Sequence, residues 1–176
     1  AADTLAALSG CPDILEILVV TSDPAVAELA EAMGARLLPD EGGTIDDAVI
    51  AAASTARPRR GGAGVLVLPA DLPCLRPGDV TAVLHQAGRY PCAFVPDLAG
   101  SGTTMVLHAP GQQVRTAYGP GSAARHTALG LVALQEAPAR ARHDVDTLED
   151  LRAAVARGLG PQTAALLAAS VSAGHG

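Results

Sequence analysis

Short, β-branched apolar runs alternate along this chain with stretches whose apolar residues recur at helical spacing. Ile14-Leu15-Glu16-Ile17-Leu18-Val19-Val20 and Val65-Leu66-Val67-Leu68 are nearly free of polar residues, the pattern of strands buried on both faces. Shorter strands are expected at Arg36–Leu38, Cys92–Val95, Thr103–His108 and Leu131–Leu134. Helix signals fall between them. Asp23 can cap and Pro24 suits the first helical position, with Gly34 ending the helix. Thr44 and Asp47 form a capping-box pair, opening a helix to about Ala56. Pro77 and Asp79 start another, ended by Gly88; Gly119-Pro120-Gly121-Ser122 opens one that Gly130 ends. Thr147 with Asp150 caps a further helix, Pro161 begins the last, and the chain opens within helical sequence. This alternation predicts an α/β fold with a mainly parallel sheet.

Composition narrows the partners. Aromatic residues make up 2% of the chain, so the core must be aliphatic and base stacking on aromatic platforms is nearly excluded. Net charge is −6 and the chain has no lysine, which argues against nucleic acid as a partner. The dense cationic group Arg57, Arg59 and Arg60 reads as a solvated loop. Cys11, Cys74 and Cys92 are far apart with no C-x-x-C, as expected of reduced thiols in a cytoplasmic protein. No apolar run reaches the roughly 18 residues of a membrane span.

Ligands of open α/β sheets bind beyond the carboxyl ends of the strands, and four polar clusters fall there. Asp71, in Pro69-Ala70-Asp71-Leu72-Pro73, directly follows a buried strand; it reads equally as an ordinary turn residue. Asp144 and Asp146 alternate along an extended stretch, so both point one way, and like charges so placed call for a cation. Oxygen ligands from separate loops suit Mg²⁺, with water and substrate phosphate completing its shell. Gly100-Ser101-Gly102-Thr103-Thr104 offers small residues and hydroxyls to an anion. Gly119-Pro120-Gly121-Ser122-Ala123-Ala124-Arg125-His126 places two glycines before a helix start, a phosphate-binding pattern. It also matches G-x-G-x-x-A, but no clean strand precedes it and no acid follows at dinucleotide spacing. His126 alone reads as a cap or core residue, and Cys74 as packing. His85, His108 and His143 lack the spacing of a zinc site.

Taken in order, Leu68-Pro69-Ala70-Asp71-Leu72-Pro73, Gly100 to Thr104, Gly119 to His126 and Asp144-Val145-Asp146-Thr147 resemble one family. It is the 2-phospho-L-lactate or phosphoenolpyruvate guanylyltransferases of coenzyme F-420 biosynthesis, over about Ile14 to Ala169. The resemblance implies a three-layer, nucleotidyltransferase-like (GT-A/Rossmann-like) fold. It implies transfer of GMP from GTP to a phosphorylated three-carbon acid, with release of pyrophosphate. By the same resemblance Asp71 and Asp146 are the catalytic acids, and Asp71 with one acid of Asp144 and Asp146 would hold Mg²⁺. Thr104, Gly119 and Ser122, with Thr103, Gly121 and Arg125, would hold the acceptor, and Ser22, Asp23, Gly43 and Thr44 would face the nucleotide.

Members of that family begin with an apolar strand and a loop bearing Lys and Arg around the triphosphate. Neither is present here, so residues 1–176 are expected to form a single domain that is N-terminally incomplete. A gap in the sheet is then expected between Ile14–Val20 and Val65–Leu68. Ile45-Asp46 also stands where the family pattern has Leu-Asn. Two other readings remain: a nucleotidyltransferase of molybdenum-cofactor type, and a non-catalytic ligand-binding remnant.

Overall fold

A computed structural model of the protein describes residues 1–56 and 62–173. The arginines at 57, 59 and 60 lie outside the described residues. Helix α1 (Ala2–Ser9) leads to β1 (Leu18–Val20), α2 (Pro24–Ala32), β2 (Arg36–Leu38), α3 (Ile45–Thr55) and β3 (Val65–Val67). Then come α4 (Pro77–Ala87), β4 (Cys92–Pro96), β5 (Thr103–His108), α5 (Ser122–Ala128) and β6 (Val132–Ala133). A 3₁₀ turn (Ala139–Arg142), α6 (Leu148–Arg157) and α7 (Pro161–Ala173) complete the chain.

The caps form where side chains can replace missing backbone partners. Asp23 accepts the Ala25 and Val26 N–H groups at the start of α2, while Thr44 with Asp47 and Thr147 with Asp150 close reciprocal capping boxes. Pro77 occupies the first turn of α4.

The strands form two sheets. β1 and β2 pair in parallel, and a four-stranded sheet runs in the order β3-β5-β4-β6. Strands β3, β4 and β6 point the same way; β5 lies antiparallel between β3 and β4. The sheet is mainly parallel in direction, as expected, with β5 opposed to the other three described strands. The short turn Asp97–Gly102 joins β4 to β5 as a hairpin, and so short a connection cannot make a parallel crossover.

Alternation along β4 and β5 divides the core. Ala93, Val95, Met105 and Leu107 pack toward Val80 and Val83 of α4 and Ala7 and Leu8 of α1. Phe94 and Val106 face the other way, toward Ala123 of α5 and Leu131. Helices thus cover both faces, giving three layers. No ladder joins β1 to β3 among the described residues; both line a cavity of about 1210 Å³ that runs to the carboxyl ends of β3 and β4. No described helix is long and apolar enough to cross a membrane.

Candidate active site

Asp71 is positioned from both sides of its loop. Thr4 of α1 donates its hydroxyl to the Ala70 carbonyl at 3.0 Å and accepts the Leu72 N–H at 3.2 Å. The Val145 N–H donates to the Asp71 carbonyl at 3.1 Å, drawing the 144–146 segment against the 70–72 loop. Asp71, Asp144 and Asp146 consequently line the same cavity.

Their electrostatics is that of partly buried carboxylates crowded by like charges. Asp71 Oδ1 is buried and has no hydrogen-bond partner among the described residues. Burial, with Asp146 nearby, raises the Asp71 pKa. Burial also pushes Asp144 up to about 6, helped by the charges of Asp71, Asp146 and Asp97. An unpartnered buried carboxylate oxygen among like charges is costly unless a positive ion offsets it. No three such groups among the described residues are already arranged to hold a metal by themselves. The donor set fits an ion that takes one or two carboxylates and fills its remaining positions with water and phosphate.

Across the cavity, the β4–β5 hairpin meets the start of α5. Asp97 accepts the Ser101 N–H at 2.9 Å, and a Cβ on Gly102 would stand 2.5 Å from Asp97 Oδ2, so a side chain there would displace the Asp97 carboxylate. Gly119 and Gly121 both hold positive φ, 107° and 71°, which lets the chain turn sharply into α5. The Ser122 N–H is bonded to the Gly119 carbonyl and the Ala123 N–H to the Ser101 carbonyl. Those two amides are engaged within the protein, contrary to the expected anion-facing helix start. The side chains face the cavity instead. Ser122, 3% exposed, lines it with no hydroxyl partner among the described residues. Thr103 lines it as well.

Thr104 does not. A register shift between Val95 and Pro96 makes Thr104 the extra residue of β5, exchanging the faces of the two threonines. Thr104, fully buried, donates to the Ala141 carbonyl at 2.6 Å, whereas Thr103 bonds to His126 of α5. Arg125 is also turned away from the cavity, donating to the Tyr118 carbonyl.

Comparison with known proteins bears on the family and the fold. Residues 1–127 match the MobA-like NTP transferase domain. The chain is 44% identical over 177 residues to a phosphoenolpyruvate guanylyltransferase of Streptomyces coelicolor, covering 99% of this chain and 84% of that one. The chain belongs to the phosphoenolpyruvate guanylyltransferase family. A relative of the same name from Geodermatophilus obscurus is 47% identical, covering 94% of this chain and 75% of its own. A candidate nucleotide-diphospho-sugar transferase from Desulfovibrio desulfuricans G20 superposes with a TM-score of 0.57 at 18% identity. It covers 85% of this chain and 68% of its own, and shares the fold.

Of the residues expected to face the nucleotide in this guanylyltransferase family member, Gly43 and Thr44 line the cavity and Ser22 and Asp23 do not. The Asp23 carboxylate is engaged as the cap of α2, and Ser22 is exposed beside it. The Thr44 hydroxyl is held in its capping box, donating to Asp47 at 2.7 Å. One acid, Asp97, escaped the sequence reading, as did the tertiary partner of Asp46. Asp97 follows β4 just as Asp71 follows β3, so the same strand-end rule points to it. Asp46 accepts the Tyr118 N–H at 3.0 Å and ties α3 to the segment before α5; its partner lies 72 residues away and leaves no local signal.

Proposed function

We propose that this protein transfers GMP from GTP to phosphoenolpyruvate and releases pyrophosphate, with Mg²⁺ as cofactor. The observation that carries the reading is the buried, unpartnered Asp71 oxygen beside Asp144 and Asp146. The acceptor's phosphate oxygen forms the new bond to the α-phosphorus of GTP as the bond to the β-phosphate bridge breaks. No covalent enzyme intermediate is needed. Asp71 and one of Asp146 and Asp144 would hold the ion, which when bound would offset charge on the transferring phosphate.

The chain's own residues position the reactants. The Ser122 and Thr103 hydroxyls donate to the acceptor's anionic groups, with Gly119 and Gly121 giving them room. Gly43 and Thr44 border the nucleotide. No arginine among the described residues lines the cavity, so hydroxyls and the ion supply the positive potential. The two sheets work as one domain, and the buried reduced cysteines suit a cytoplasmic setting. The names of the relatives favour phosphoenolpyruvate over 2-phospho-L-lactate as acceptor.

Replacing Asp71 or Asp146 by Asn should lower guanylyl transfer at least about 100-fold, or about 2.7 kcal/mol of transition-state stabilisation. Thermal unfolding should show both variants folded. Turnover close to wild type in both, at limiting Mg²⁺, would overturn the assignment.

A further inference from the structure

His126 is fully buried in α5, between Phe94 and Tyr118, with ring centroids 5.6 and 5.3 Å away. Its two nitrogens have different partners. The Ala117 N–H reaches Nε2 at 2.9 Å, and the Thr103 hydroxyl lies 2.9 Å from Nδ1. A backbone amide can only donate, so Nε2 is the bare nitrogen. Burial lowers the His126 pKa and keeps the ring neutral, which leaves its proton on Nδ1. That proton faces Thr103 Oγ1, 2.9 Å from Nδ1, with the Ser122 backbone as a second acceptor for the ring.

The consequence falls on the cavity. A threonine hydroxyl carries one proton, and Thr103 does not use it on the ring. It is free to donate into the space that Thr103 lines. With the opposite tautomer, Thr103 would give its proton to Nδ1 and present only lone pairs, which repel a phosphate or carboxylate. The tautomer is held from outside α5. Asp46 anchors the Tyr118 N–H at 3.0 Å, which keeps the adjoining Ala117 amide aimed at Nε2.

We infer that His126 is a positioning residue whose Nδ1–H makes Thr103 a hydrogen-bond donor for the anionic acceptor. The inference rests on the acceptor side of the proposed reaction, and its test separates the two. An asparagine amide reaches the place of Nδ1, while a glutamine amide reaches that of Nε2. His126→Asn therefore keeps a donor for Thr103, and His126→Gln keeps only an acceptor for Ala117.

In calorimetric titration with phosphoenolpyruvate, His126→Gln and Thr103→Val should each weaken binding about ten-fold. Their combination should be no weaker than Thr103→Val alone, and His126→Asn should remain near wild type. GTP affinity should stay within about two-fold of wild type throughout. The imidazole ¹⁵N spectrum of the unaltered protein should show a protonated Nδ1 and a bare Nε2. A proton on Nε2, or full binding by a folded His126→Gln protein alongside a weakened Thr103→Val, would overturn this inference alone. Unchanged binding in Thr103→Val would overturn the acceptor assignment as well.

Discussion

Replacing Asp144 by Asn should make the metal-free protein more stable at neutral pH while impairing its chemistry. Burial and the neighbouring acids hold the Asp144 pKa at about 6 against an ordinary 3.8. That difference corresponds to a ceiling of about 3 kcal/mol of unfavourable interaction once the group is ionised. Asp144 is only partly buried, and solvent screening reduces the figure to roughly 1–2 kcal/mol. The sign follows from linkage: the folded pKa lies above the unfolded one. The native state is therefore not penalised below about pH 4 and loses stability as pH rises through 6. Asn has nearly the same shape and does not titrate. In thermal unfolding with a chelator present, Asp144→Asn should raise Tm by roughly 2–8 °C at pH 7.5 for a domain of this size. The gain should vanish near pH 4. A gain of equal size at both pH values, or a lower Tm at pH 7.5, would show that repulsion among these carboxylates is not the cause.

Divalent metal should act on the same group of charges. Adding Mg²⁺ to the unaltered protein should raise Tm at pH 7.5 and less at pH 4.5, where the Asp144 carboxyl, with its pKa of about 6, holds its proton; an equal rise at both would point to a site elsewhere. Ser122→Ala removes a hydroxyl facing the cavity and should raise the phosphoenolpyruvate KM about ten-fold, with the GTP KM little changed. A shift in the GTP KM instead would mean that this turn holds the nucleotide. Thr104→Val leaves the Ala141 carbonyl without its partner and should cost about 1–3 kcal/mol of stability without moving the acceptor KM. A raised acceptor KM in a fully stable Thr104→Val protein would return Thr104 to the site.

Local signals were legible because their physics is local. The Thr44/Asp47 and Thr147/Asp150 boxes, the Asp23 cap and Pro77 mark helix starts where they occur. The strand-end rule placed Asp71, Asp144 and Asp146, and the Asp71–Val145 backbone bond makes them neighbours. Direction and register were less visible. The apolar run of β5 reads the same in either direction, and its bulge exchanges Thr103 and Thr104 without altering composition. The apolar run 14–20 contributes only Leu18–Val20 to the ladder, since Arg36–Leu38 offers three partners. Ser22 and Asp23 follow a strand, as site residues often do, but the adjoining helix engages the Asp23 carboxylate as its cap. Arg125 looked like a phosphate ligand in sequence; the left-handed turn at Gly119 brings the Tyr118 carbonyl within its reach instead. His126, readable only as a cap or core residue, gains significance from Ala117, nine residues earlier, and Thr103, across the hairpin.

The central claim is that Asp71 and its acidic neighbours support guanylyl transfer to phosphoenolpyruvate. The direct test is pyrophosphate release by the purified protein, measured with GTP and phosphoenolpyruvate supplied together, singly, and with the metal chelated, beside the Asp71→Asn variant. The account predicts release only when both substrates and Mg²⁺ are present, reduced at least about 100-fold in the variant. Release from GTP that is indifferent to phosphoenolpyruvate, or equal in the folded Asp71→Asn protein, would contradict it.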